Sequence, residues 1–341
     1  MPKGLSMPLV SIIIPHYNGE NIIRECLKSL QNISYKNVEI IVVDNNSHDN
    51  SVQIIHNEFP STHVIASEYN RGFAGGCNYG AKHAKGEYLF ILNNDTVHEK
   101  NAITSLVKKI ETNTSISSVQ PKIKNFTNRD YFDYAGGSGG FMDKYCSPFA
   151  RGRVFNTIEK DLGQYDDSCK IFWASGTAFL TQKNIFEKLN GFDETLFAHM
   201  EEIDYHWKCQ LLGYEIWVEP KAVIYHHGAI TLPTSDPKKT YLNYRNSLVL
   251  LTTNYSTTTT LKLLFPRLFM EFLSLIKELL FLRWKHGFSI IRSWFWIILH
   301  PTYLYRRRKK LITNYKLHNI YQHSIVMKYF LMGKKTYNNM K

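Results

Sequence analysis

At 341 residues, 44% of them apolar, the chain is long enough for one large or two moderate domains with a hydrophobic core. Its five cysteines include no CxxC pair and no histidine at zinc-finger spacing, which argues against both a disulfide framework and a structural zinc site. The net charge of +12 lies wholly beyond residue 260, where sixteen Lys and Arg face only Glu271 and Glu278 to give +14, so the first 260 residues, at −2, offer no bulk positive charge for nucleic acid.

The N-terminus runs into a strand without the apolar stretch of a signal peptide, which predicts a cytoplasmic catalytic part. Val10 to Pro15 reads as a first strand. The spacing of Ile22, Ile23, Cys26, Leu27 and Leu30 predicts a helix over 21–30. Strands follow at 38–43, 63–66, 88–92 and 116–121, with helices near 49–58, 74–84 and 99–112. This alternation is the signature of an α/β fold with a mostly parallel sheet, its strands buried on both faces. Between about 125 and 170 the pattern breaks into Gly, Ser, Asp and aromatic residues, a functional loop region by its length. Order resumes over 171–180, followed by a helix at 182–189, an acidic helix at 200–212, two short strands at 215–218 and 222–225, and a helix at 237–254.

In an open α/β sheet, ligands bind at the carboxyl ends of the strands. Two strands end there in acids: Asp44 in Asp-Asn-Asn-Ser47, and Asp95 in Asn93-Asn-Asp95. An acid after the second strand can accept hydrogen bonds from a base or ribose, and one after the fourth can hold Mg²⁺ or Mn²⁺. Taken alone, each is equally readable as a turn with helix-capping residues. Asn70-Arg-Gly-Phe-Ala-Gly-Gly-Cys-Asn78 lies between a strand and a helix, where glycines let the backbone approach a ligand closely. Glu201, Glu202 and Asp204 crowd the first turn of a helix. The helix dipole alone favours acids there, but such crowding also raises the pKa of a general base. His226 and His227, after a strand, offer a metal ligand.

Val10-Ser-Ile-Ile-Ile-Pro-His-Tyr-Asn18, Val43-Asp-Asn-Asn-Ser47, Asn70 to Asn78, Leu92-Asn-Asn-Asp95, Gly191-Phe-Asp-Glu194, Glu201-Glu-Ile-Asp204 and Tyr244-Arg-Asn246 occur in the order found in family 2 glycosyltransferases. Over residues 8–250 the chain resembles the rhamnosyltransferase-like group of that family. The resemblance implies a GT-A fold and single-displacement inversion at the anomeric carbon. By position, Glu202 is the implied base, with Glu201 and Asp204 as neighbouring candidates, and Asp95 with His226 the implied metal ligands. The implied nucleotide-sugar contacts are Pro15, Tyr17, Asn18, Asp44, Asn46, Asn70, Gly72, Gly75, Asn78, Asn94, Trp173, Gly176 and Arg245. The implied partners are a dTDP- or UDP-linked donor and a lipid-linked or saccharide acceptor in cell-surface polysaccharide synthesis. Two departures stand out: the family usually carries Asp where Glu202 stands, and its DxD motif is reduced to Asn-Asn-Asp.

These motifs set a catalytic region at 1–260. In the region 261–341, Leu261 to Trp284 and Ser293 to Leu299 are apolar with interleaved Lys, Arg and Trp, and Arg306-Arg-Arg-Lys-Lys310 follows. No uncharged apolar run reaches the roughly 18 residues that span a bilayer. Such helices suit peripheral contact with the inner face of a membrane, at roughly 1 kcal/mol per cation near anionic headgroups. The alternatives are packing on the core or on a second copy in a homo-oligomer. Processive synthases of this fold add a Gln-x-x-Arg-Trp motif. Leu280-Phe-Leu-Arg-Trp284 lacks the Gln, which favours transfer of a single sugar. Competing readings are a sugar nucleotidyltransferase, which would want a basic glycine-rich loop after the first strand, and a nucleic-acid-binding protein using a tail that is too apolar for that purpose.

Overall fold

The computed structural model describes residues 7–228, 235–311, 317 and 319–340. The alternation read from the sequence forms β1 (Val10–His16), α1 (Glu20–Gln31), β2 (Val38–Asp44), α2 (Ser51–Glu58), β3 (His63–Ala66), α3 (Gly72–His83), β4 (Tyr88–Leu92), β5 (Thr96–His98), α4 (Ala102–Ile110) and β6 (Ile116–Asn125). The segment expected to be irregular carries a small antiparallel sheet of β7 (Gly140–Met142), β8 (Pro148–Ala150), β9 (Arg153–Val154) and β10 (Thr157–Ile158). Strands of two or three residues are too short to show a period in sequence.

β11 (Cys169–Ile171) and β12 (Ala178–Gln182) split the run expected over 171–180, and the connection between them holds Trp173 and Gly176. Then come α5 (Lys183–Lys188), α6 (Glu201–Leu211), β13 (Glu215–His226) and α7 (Pro237–Asn254). β13 replaces the two short strands expected near 215–225. Pro220 cannot donate to the ladder, and the register with β6 breaks there, between Glu219 and Val223.

Among the described residues the main sheet has nine strands, in the order β11-β13-β6-β12-β4-β1-β2-β3, with β5 on β13. β3, β2, β1 and β4 run parallel, while β12 is antiparallel to β4 and β6. This is the mostly parallel α/β sheet flanked by helices that the sequence predicts. One face packs Ile12, Ile14, Val42, Phe90 and Leu92 against α1 and α4, with Leu27 and Leu106 among the partners. The other packs Ile13, Val43, Ile91 and Phe179 against α3, α5 and α6, with Cys77, Ile185 and Tyr205. Because β1, β2 and β4 are parallel neighbours, His16, Asp44 and the residues after Leu92 emerge along one edge.

The chain continues as α8 (Thr257–Leu280), α9 (Trp284–Leu299), α10 (Pro301–Lys309) and α11 (Ile325–Phe330). The division expected at residue 260 falls inside α8. Trp207, Met200 and Leu211 of the acidic-helix region share a buried cluster with Val249 and Leu250 of α7 and with Leu263, Trp296 and Leu304. Arg267 donates to Tyr145 O at 2.7 Å and pairs with Glu271, and Ile325 N donates to Asp143 Oδ2 at 3.0 Å. Residues beyond 260 therefore pack on the core. No helix among the described residues is long and apolar enough to cross a membrane.

Candidate active site

Two left-handed asparagines, Asn18 at φ 52° and Asn46 at φ 65°, shape the rim beyond β1 and β2. Asparagine tolerates this backbone better than most residues. Asn18 N donates to Ser47 Oγ at 3.0 Å, and His48 N donates to Asn18 Oδ1 at 2.9 Å. The Asp44 carboxylate accepts Ser47 N at 3.1 Å, and Tyr17 meets His48 edge-on. Asp44 is thus fixed by one amide and keeps capacity for a ligand. Pro15 pairs with Val43 directly beneath this rim.

The glycine-rich loop is tied to the rim by Asn45, a residue the sequence reading did not single out. Its side chain donates to Gly72 O at 3.3 Å and accepts Arg71 N at 3.4 Å, while Asn70 Oδ1 accepts Gly72 N at 2.8 Å. Gly72 has φ +69°, and a Cβ there would come within 2.6 Å of the Phe197 ring. Gly75 packs near Arg71 and Glu194. Asn78 donates to Phe192 O at 2.8 Å and Glu194 Oε1 at 3.1 Å and accepts Phe192 N at 2.9 Å, so its amide is spent on the Gly191 to Glu194 segment.

At the end of β4, Asn94 Nδ2 lies 2.8 Å from His16 Nδ1. Burial lowers the His16 pKa, against the opposing pull of Asp44 and Asp49. Asp95 is buried, and its Oδ1 has no hydrogen-bond donor. His226 Nε2 is 3.1 Å from that oxygen, close enough for an ion pair although not directed as a hydrogen bond. Burial favours neutral His226, but Asp95 and Asp133 outweigh it and raise its pKa to about 10. Burial likewise pushes the Asp95 pKa up, and the charge of His226 reverses this to leave it low. Asp133, from the segment read as irregular, holds His226 Nδ1 at 2.9 Å. A carboxylate behind a histidine is the usual support of a metal ligand. No group of three or more His, Cys, Asp or Glu among the described residues is arranged to hold a cation. Asp95 and His226 alone would give a divalent ion two ligands, short of its usual shell. Ala229, Ile230 and Thr231, which follow His226-His-Gly228 in the sequence, lie outside the described residues.

Before α6 the chain passes through three non-glycine residues at positive φ: Phe197 at 65°, His199 at 67° and Met200 at 74°. Such strain persists only where the surroundings enforce it. Arg245 and Asn246 on α7 do so: Arg245 Nη2 donates to Thr195 O at 2.8 Å, and Asn246 Nδ2 donates to Leu196 O, Ala198 O and His199 O at 3.0, 3.1 and 2.6 Å. Arg245 therefore builds the approach to the acidic helix.

Glu202 is partly exposed, and its Oε2 has no partner. Loss of solvation raises its pKa to about 7, against the opposing pull of backbone amides at the helix start and of Gly176. Glu201 is buried and pushed well up, first by burial and then by Glu202 and Asp204. Asp204 is different. Burial would raise its pKa, but Arg307, Lys208 and Asn254 hold it ionised. It is a buried ion-pair residue, with Arg307 and Asn254 on Oδ1 and Lys208 on Oδ2.

The connection from β11 to β12 joins these two ends. A Cβ on Gly176 would lie 3.2 Å from Phe73 and 3.8 Å from the Glu202 carboxyl carbon, while Asn93 N donates to Thr177 O at 2.9 Å. Glu202 and the strand that carries Asp95 are therefore one short loop apart. Trp173 supports that loop from behind, buried and donating to Phe141 O at 2.8 Å.

Arg307 on α10 is the residue least visible beforehand. It pairs with Asp204 and with Asp193 of the Gly191 to Glu194 segment, donates to Thr253 Oγ1 at 3.0 Å, and shares Asp193 with Tyr303. In sequence it is one cation in a run of five, and only burial separates it from the others.

The model of glycosyl transferase family 2 matches residues 11–189, just over half of the chain. The chain belongs to this family. Among curated relatives, this glycosyltransferase is 27% identical over 223 residues to a poly-beta-1,6-N-acetyl-D-glucosamine synthase of Staphylococcus epidermidis, covering 63% of this chain and 48% of that protein. It is 36% identical over 197 residues to the uncharacterized glycosyltransferase RT0329 of Rickettsia typhi, covering 58% and 57%. The chain thus spans about half the length of these two relatives. Among solved structures, GalNAc-T7 with UDP, GalNAc and Mn²⁺ superposes with a TM-score of 0.58 at 17% identity over 71% of this chain and 48% of that one. The mannosyltransferase PcManGT of Pyrobaculum calidifontis with GDP-Man and Mn²⁺ gives 0.54 at 15% identity over 91% and 82%. At these identities the likeness concerns the fold, which is GT-A.

Proposed function

We propose that the protein is an inverting, metal-dependent transferase that moves one sugar from a nucleoside diphosphate donor to an acceptor hydroxyl in cell-surface polysaccharide synthesis. The observation that carries this reading is Glu202: a buried carboxylate oxygen without a partner and a pKa raised to about 7, one loop from the strand that bears Asp95. Ionised Glu202 takes the proton of the acceptor hydroxyl as that oxygen bonds to the anomeric carbon, and the carbon's bond to the donor diphosphate breaks on the opposite face. One displacement inverts the centre. Asp44 and the Asn18–Asn46 rim receive the nucleoside, dTDP- or UDP-linked, and the rhamnosyltransferase-like motif order makes rhamnose the first sugar to test. A divalent cation, Mg²⁺ or Mn²⁺, held by Asp95 and His226, would supply charge neutralisation for the departing diphosphate. His226 keeps its ring oriented through Asp133.

The helices beyond residue 256 support a peripheral membrane location at the inner face. Phe265, Phe269 and Leu280 on α8 and Phe288, Phe295 and Ile298 on α9 are 58–80% exposed, and between 265 and 298 five Lys or Arg stand against two acids, Glu271 and Glu278.

Thermal-shift panels of dTDP, UDP and GDP sugars, with and without Mn²⁺, test the donor half of this reading, since only ligands that bind stabilise the fold. Asp95→Ala should remove the Mn²⁺-dependent part of the shift and lower transfer at least a hundredfold. Wild-type transfer by that variant in chelator would dismiss the metal role.

A further inference from the structure

The groove between the start of α7 and α9 has no part in the chemistry above, yet it is built for a particular kind of guest. It encloses about 560 Å³ and is lined by Lys238 and Tyr241 from α7 and by Trp284, Lys285, Phe288 and Arg292 from α9. The two helices are fastened together: Ser289 Oγ donates to Pro237 O at 2.9 Å, and Thr240 Oγ1 lies 2.7 Å from His286 Nδ1. Three cations line the groove and no carboxylate does. Among the described residues, Lys238, Lys285 and Arg292 form no ion pair. Lys238 lies 4.6 Å from the centre of the Phe197 ring, and Arg292 lies 4.4 Å from the centre of the Tyr241 ring. The nearby Asp236 carboxylate accepts Lys238 N at 2.7 Å as the helix cap.

The two ends of the groove differ. Lys238 of the lining lies over Phe197, whose ring would crowd a Cβ on Gly72 of the donor loop and whose carbonyl accepts Ala74 N at 3.2 Å. Outward it opens onto Trp284 and Phe288, 61% and 67% exposed, and onto exposed Phe281 and Leu282. Cations without counter-ions suit phosphate, with the Arg guanidinium able to grip two of its oxygens. The apolar outer lip suits a hydrocarbon chain. A nucleic-acid strand would need cations continuing beyond the groove, where the surface is apolar instead.

We propose that this groove binds an acceptor in which a phosphate or diphosphate joins a hydrocarbon chain to the sugar-accepting end. The phosphate sits among Lys238, Lys285 and Arg292, the chain leaves over Phe288 and Trp284, and the accepting hydroxyl reaches past Phe197 toward Glu202. This rests on the transferase reading and narrows its acceptor to lipid-linked phosphates.

The test uses the full chain and dodecyl phosphate below its micelle concentration as probe, followed by calorimetry and by tryptophan fluorescence. Dodecyl phosphate should bind at least tenfold more tightly than either dodecanol or inorganic phosphate. Lys285→Ala/Arg292→Ala should weaken it at least tenfold while leaving the thermal shift by nucleotide sugars unchanged. Dihexanoyl phosphatidylglycerol at equal concentration should not displace the probe. Wild-type affinity in the double variant, equal binding of dodecanol or of inorganic phosphate, or displacement by the phospholipid would each overturn the proposal. A donor shift that is intact while probe binding fails would overturn it alone, whereas loss of any donor shift in the wild type would count against the transferase reading itself.

Discussion

Glu202 and Asp204 stand two positions apart on one helix, and loss of solvation acts on both, yet they end with opposite protonation. Asp204 has a guanidinium and an ammonium group beside it. Glu202 has only backbone amides, and its carboxyl rises to about 7. A base that must be ionised to work, with a raised pKa, loses activity as pH falls, so kcat/KM should decline through neutrality on its acid side. Glu202→Gln should lower kcat by about 10²–10⁴-fold and abolish that limb, while donor thermal shifts persist. A retained limb at near wild-type rate would move the role to Glu201. The same shift has a stability sign. A carboxyl that keeps its proton more tightly when folded favours folding at low pH, and this is lost as pH rises from the unfolded value through about 7. Glu202→Gln should therefore melt slightly higher than the wild type above pH 7. The placement of Asp44 and Asp95 at strand ends and of Glu202 at the start of a helix was legible in the sequence. Asp133, Asn45 and Arg307 were not, since each acts on a partner far along the chain.

The acidic helix depends on a neighbouring element for its shape. Its entry, with positive φ at Phe197, His199 and Met200, is held by Arg245 and Asn246 on α7, and its first turn is pinned by Arg307 on α10. Removing one member of a buried ion pair leaves its partners charged and unsolvated, at a cost of about 3–5 kcal/mol. Arg307→Met should lower unfolding stability by about that amount in urea, and Arg307→Met/Asp193→Asn/Asp204→Asn should recover a good part of it. A loss under about 1 kcal/mol in the single variant would mean that solvent reaches these groups. Sequence reasoning served best for α1, where apolar residues recur at helical spacing, and for β2 and β4, which are short continuous apolar runs. It failed where elements are too short to have a period, as in β7 to β10, and where Pro220 interrupts a single long strand.

At the scale of the whole molecule, the α/β sheet and the order of its motifs were readable from the chain, whereas the arrangement of the last eighty residues was not. Their charge and apolar content pointed first to a membrane surface, with a packed subdomain or an oligomer contact as the alternative. The fold uses these residues for packing through Arg267, Trp296 and Arg307, and still leaves Phe265, Phe269, Phe288 and Phe295 outward. If that outward face meets lipid, Phe265→Ser/Phe269→Ser/Phe295→Ser should reduce co-sedimentation with anionic vesicles severalfold without changing the melting temperature. Unchanged sedimentation would leave the face to another partner. The Arg307 contacts also bear on how the enzyme comes into being. Asp204 is made 103 residues before its guanidinium partner, so at roughly 5–20 residues per second a ribosome needs about 5 to 20 s to supply it. During that interval the nascent chain carries an acidic helix whose Asp204 has Lys208 beside it but lacks its guanidinium partner. Turnover should therefore begin only late in synthesis, after α10 has emerged and docked.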